Sequence, residues 1–120
     1  MVGSKKGSEE DKATSKRLLG ALEPFRVLRA TMPLQYVTAF LLVAEEEGLG
    51  VVDYARRAGV SISVMSRHLL DIGERDRYMN EGFGLITSRD NPMELRRKEF
   101  MLTDKGRAVF HKIKRSLAGG

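Results

Sequence analysis

Two groups of side chains in this sequence have types and spacing suited to chemistry. Ser61, Ser63, Ser66 and Arg67 fall in one short stretch, and Arg89, Arg96, Arg97 and Lys98 fall in another. Hydroxyls and cationic groups in this arrangement can hydrogen-bond base edges and phosphates in a nucleic-acid groove. Covalent chemistry finds no support. No His or Lys stands as a base partner to the serines, so a nucleophilic serine is not expected. The absence of cysteine removes disulfides, thiolate metal sites and cysteine nucleophiles. The two histidines, His68 and His111, belong to different expected helices and have no carboxylate at ligand spacing, so no metal site is expected. Glu45, Glu46 and Glu47 are adjacent, and neighbours on a helix point apart, so they read as solvated acids. Gly82-Phe83-Gly84 lacks the lysine and following helix of a phosphate loop. The expectation is a protein that acts by recognition, without catalysis and without a cofactor.

The elements that must position the first group lie between Val51 and Ile72. Val52 to Ala58 forms a short helix with Tyr54 and Ala55 turned inward. Gly59 supplies the residue that tolerates positive φ at a tight turn, and Val60 fills the angle between two helices. Ser61 is suited to cap the second helix by accepting from a free amide. Met65, Leu69 and Ile72 then form an apolar stripe at spacings of four and three. Ser63, Ser66 and Arg67 fall off that stripe and face outward. The pattern is a helix-turn-helix.

The second group belongs to a hairpin. Phe83 to Arg89 and Arg96 to Leu102 are expected as antiparallel strands, with Leu85 and Thr87 against Phe100 and Leu102. The run DNPMEL makes the turn between them. Thr103 caps a last helix whose apolar positions are Ala108, Val109, Ile113 and Leu117. Upstream, Leu18, Leu19, Leu22, Phe25, Leu28 and Met32 mark a helix from about Thr14, kinked or split at Pro24. Leu34 to Glu47 is a second helix with a wide apolar face, ended at Gly48, and Thr31 could cap it. Leu49 to Val51 is expected as a short strand. The charged segment after Gly73 is either a helical extension or a loop, with Tyr78 and Met79 as anchors. Residues 1–12 are expected to form a disordered tail, and 13–118 a single domain.

Net charge adds a partner class. Residues 1–47 hold seven Lys/Arg and seven Asp/Glu, so the whole excess of +5 lies in residues 48–120, with the helix-turn-helix. Such asymmetry favours a polyanion. The N-terminus has no secretory apolar core, and the longest apolar run, Ala39 to Ala44, is too short to span a bilayer. A cytoplasmic protein without membrane contact is expected.

Helix, helix, short strand, helix-turn-helix, hairpin and last helix together describe a winged helix of the mainly α (α+β) class, with a two-stranded β wing and flanking terminal helices. The sequence resembles the MarR family of bacterial transcription regulators. Tyr54-Ala55, Gly59-Val60-Ser61, Val64-Met65-Ser66-Arg67 and especially Leu102-Thr103-Asp104-Lys105-Gly106-Arg107 carry the likeness, over about residues 34–117. The last resembles the family's LTxxGR motif where the wing meets the final helix. The resemblance implies a sequence-specific regulator, a repressor by preference, that binds double-stranded DNA. Apolar stripes on the two terminal helices, which one winged-helix core cannot readily cover, point to a homodimer reading a pseudo-palindromic site. The alternative is a winged-helix protein-interaction module without specific DNA binding. The sequence departs from the family in a longer segment between Ile72 and Phe83. Its wing only loosely echoes the Asp-x-Arg motif, and a single helix follows the wing.

Overall fold

Capping side chains set where three of the five helices begin. The computed structural model describes residues 5, 7–76 and 78–119, with the side chains of Leu95 and Arg96 left out of the description. Helix α1 (Glu9–Leu28) starts at Ser8, whose hydroxyl accepts from the Asp11 amide while the Asp11 carboxylate accepts from the Ser8 amide. This reciprocal box satisfies two otherwise free donors. It places residues 9–12 in helix, where a disordered tail was expected. Pro24 lies inside α1 without splitting it.

Helix α2 (Leu34–Glu45) begins after Pro33, not under a Thr31 cap, and stops two residues earlier than the sequence suggests. Leu49 to Val51 forms no strand. Gly48 N–H donates to Phe100 O at 2.7 Å and Phe100 N–H donates to Leu49 O at 3.0 Å, but α3 (Val51–Ala58) begins immediately after Gly50. There is no length left for a ladder.

Gly59 ends α3 at φ 70°, the left-handed region that an L side chain adopts only with strain. Ser61 caps α4 (Ile62–Asp71), its Oγ accepting from Val64 N–H at 3.2 Å. Met65, Leu69 and Ile72 are at most 2% exposed, as the stripe requires. They join Phe40, Val43, Tyr54, Leu85 and Ile86 in an aliphatic-rich core. Burial of each large apolar side chain contributes about 1.5–3 kcal/mol.

After α4 the chain makes a loop, not a helical extension. Arg75 and Glu81 form an isolated antiparallel bridge, and Asp76 Oδ1 accepts from the amides of Tyr78 and Asn80. Tyr78 and Met79 are about three-quarters exposed, so neither is an interior anchor. Strands β1 (Ile86–Asn91) and β2 (Glu94–Leu102) form the antiparallel hairpin. Ile86 lies opposite Leu102, and Ser88 opposite Phe100, one residue away from the expected register. The cause is Leu85. Its N–H donates to Ile72 O, and its side chain is drawn into the core below the strand.

Thr103 caps α5 (Asp104–Leu117) through Gly106 N–H and donates its own hydroxyl to Gly84 O at 2.6 Å. Gly106 lets α5 lie directly on the loop: a Cβ there would overlap the Leu85 carbonyl. Helix α5 packs along α1, where Ser116 Oγ donates to Arg17 O at 2.7 Å.

Candidate nucleic-acid interface

Helix α4 turns the four residues singled out on it away from the core. Ser61, Ser63, Ser66 and Arg67 are all exposed. They are not equivalent. The Ser61 hydroxyl is occupied as the helix cap, and its oxygen lies 3.3 Å from Ser63 Oγ, so these two hydroxyls serve each other. Ser66 and Arg67 stand one turn further along. Arg67 forms no ion pair with any carboxylate among the described residues. Its guanidinium therefore presents five donors to solvent in a planar fork suited to guanine or phosphate.

The wing holds its cations differently. Arg89 Nε donates to Glu99 Oε2 across the ladder at 3.1 Å, and Lys98 Nζ donates to Asp90 Oδ1 at 3.3 Å. Arg97 lies 3.6 Å from Asp53 of α3 and 3.5 Å from Glu94. The Arg96 side chain lies outside the described residues. The cations sit along the strands, while the turn itself, Pro92 and Met93, carries none. Between α4 and the wing runs a groove of about 260 Å³, lined by Leu69, Leu70, Ile86, Thr87 and Phe100.

A joint that the sequence reading missed sets the position of the wing. Glu47, expected to be a solvated acid, accepts from Leu102 N–H at 2.8 Å and from both terminal nitrogens of Arg107 at 2.8 and 3.2 Å. Burial works to raise its carboxyl, but these hydrogen bonds from Leu102 and Arg107, with the guanidinium charge, hold it below the ordinary value. The turn just after α2, the end of β2 and the first turn of α5 thus meet on one carboxylate. On the other side, the buried Tyr54 hydroxyl donates to Glu46 O at 2.7 Å and accepts from Leu49 N–H at 3.3 Å. His68 packs edge to face on Tyr36, whose hydroxyl donates to Asp71 at 2.5 Å.

Among the described residues no cluster of three His, Cys, Asp or Glu could hold a metal ion, and no helix is long and apolar enough to cross a membrane.

Neither a family sequence model nor a curated protein matches this chain. Solved structures do. A MarR-family transcriptional regulator from Silicibacter pomeroyi superposes with a TM-score of 0.56 at 17% identity, over 92% of this chain and 67% of its own. The S. aureus MepR structure bound to an oligodeoxyribonucleotide gives 0.65 at 17% identity, over 95% and 79%. The transcriptional repressor CouR, bound to a 23-mer DNA duplex, gives 0.55 at 23% identity, over 96% and 80%. The fold is the MarR-type winged helix. The expected fold class therefore stands: five helices with a two-stranded antiparallel wing. In this MarR-type frame α3 and α4 are the helix-turn-helix, and α1 and α5 are the flanking helices.

Proposed function

We propose that this chain is a sequence-specific transcriptional regulator that binds double-stranded DNA as a homodimer at a pseudo-palindromic site, and that its effect there is repression. The observation that carries this is the outward face of α4. Arg67 is exposed and without a carboxylate partner among the described residues, and it stands beside exposed Ser63 and Ser66 on the second helix of the motif. That is the surface a helix-turn-helix places in a major groove. MepR and CouR, which share the fold, were both solved on DNA. Ser61, Ser63, Ser66 and Arg67 are the proposed contacts from α4, and Arg89, Arg96, Arg97 and Lys98 those from the wing.

The dimer is supported by apolar surface. Helix α1 buries Ala21 and Phe25 against its own domain but leaves Leu18 54% and Leu19 61% exposed, and Leu117 on α5 is 52% exposed. A second copy related by a two-fold axis would cover these residues and set two α4 helices about 34 Å apart, one turn of DNA. Paired wing charges favour the competing reading, a protein-interaction module in which the wing is only structural.

A mobility-shift titration against genomic fragments at two salt concentrations tests the proposal. The regulator reading expects selective retention of a few fragments, with affinity falling steeply as salt rises. Weak, sequence-independent retention, which the interaction-module reading predicts, would overturn the regulator reading. Sedimentation equilibrium at tens of micromolar protein tests the dimer, which a mass near 13.4 kDa would overturn.

A further inference from the structure

The first turn of α4 presents an aliphatic side chain where polar readout is expected. Ile62, the first residue of α4, is 51% exposed, while Met65 and Leu69 on the same helix are 1% and 2% exposed. Its two neighbours in sequence, Ser61 and Ser63, direct their hydroxyls to the helix cap and to each other. The group offered outward between them is therefore a branched hydrocarbon. Ser66 follows one turn later on the same side, and its hydroxyl makes no hydrogen bond within the described residues.

We propose that Ile62 reads thymine by packing on its C5-methyl group in the major groove, making it a specificity-determining residue of the DNA contact. This rests on the DNA-binding reading of α4. Residues at the N-terminal end of a recognition helix are those that meet base edges. Of the four bases only thymine places a methyl group in that groove, whereas cytosine offers an amino donor and the purines offer polar edges. An isoleucine has nothing to exchange with a phosphate or an amino group. A β-branched residue in a helix also holds one dominant χ1 rotamer, so little side-chain freedom is lost when it docks. Removing a methyl-sized patch from water favours the contact by about fourfold in affinity.

The test begins with the full chain and a randomised duplex pool, from which bound sequences are selected. In the best site each thymine is then replaced singly by deoxyuridine, which deletes only the methyl group. The native protein should lose about fourfold affinity at one thymine in each half-site. Ile62→Ala should bind the parent site more weakly and no longer distinguish thymine from deoxyuridine at that position, while keeping every other base preference. Ile62→Val, which retains the branch, should restore the distinction. Because Ile62 is half exposed, the alanine variant should stay folded with native circular dichroism and lose at most a few degrees of thermal midpoint. Enrichment of a site whose methyl sensitivity is unchanged in Ile62→Ala, or absent throughout, overturns the role of Ile62 and leaves DNA recognition standing. A pool that shows no enrichment overturns both.

Discussion

Arg67 on α4 and Arg89 on the wing are both exposed guanidinium groups, but they would enter the proposed DNA complex from different states. Arg67 has no carboxylate partner among the described residues, whereas Arg89 is held by Glu99, Lys98 by Asp90, and Arg97 by Asp53 and Glu94. A phosphate approaching the wing must replace a carboxylate that is already there. The cations are well exposed, although the Glu99 and Asp53 carboxylates are only 18% and 25% exposed. Surface pairs contribute only about 0–1 kcal/mol, so the exchange is feasible, but it returns less than contact with an unpaired cation. Charge density read from sequence therefore overstates the wing. Affinity should be concentrated on α4, with the wing adjusting it.

The strongest way to break this contrast is to move the two regions relative to each other. Gly106→Ala would drive a Cβ into the Leu85 carbonyl, on the loop that joins α4 to β1. Overpacking of this sort should cost about 3 kcal/mol of stability, visible as a lower urea midpoint, and should remove DNA binding through both regions together. Next comes Arg67→Ala, which should cost about 1–3 kcal/mol of DNA affinity if the guanidinium meets a base. Unchanged affinity with native circular dichroism would place Arg67 outside the interface.

A gain of function sharpens the comparison further. Glu99→Gln removes the partner of Arg89 without changing size, and should strengthen DNA binding by about 0.5–1 kcal/mol while steepening the dependence of log affinity on log salt by roughly one unit. Neutralising Arg96 and Arg97 together should act in the opposite sense on every sequence alike, again by roughly one unit of slope per lost phosphate contact. Loss confined to one sequence would mean that the wing reads bases.

The smallest effect concerns pH. Glu47 is held below its ordinary value of 4.5 in the folded chain. Its contribution to stability is thus complete above that value and disappears as pH falls through the lower, folded one. Urea midpoints measured from pH 7 to pH 3 should decline at the acid end, and Glu47→Gln should reduce the decline. An identical acid limb in both proteins would show that Glu47 does not supply it.

Local rules made much of this legible before the structure. Gly59, Ser61 and Thr103 occupy the conformations and caps that their chemistry suits, and the stripe of Met65, Leu69 and Ile72 is buried as its spacing requires. The fold followed from these. What escaped depends on partners distant in sequence or on competition between partners. Leu85 alternates as a strand residue should, yet a backbone bond to Ile72 draws it into the core and shifts the hairpin register. The charge count at the wing was visible, but its pairing depends on which residues face each other across β1 and β2. Ser8 and Asp11 were present as a capping box, and the surrounding polar composition concealed it.

Glu47 has a consequence for how this protein can change over time. One carboxylate satisfies a strand amide 55 residues away and a guanidinium 60 residues away. Shortening it to aspartate retracts the oxygens from both partners, and replacing Arg107 alone leaves the acid half-satisfied. A change at Glu47 is therefore felt at both Leu102 and Arg107, and a change at Arg107 is felt at Glu47, whereas nearby Glu45, whose ion pair among the described residues is with Arg57 alone, transmits a change no further than that exposed pair.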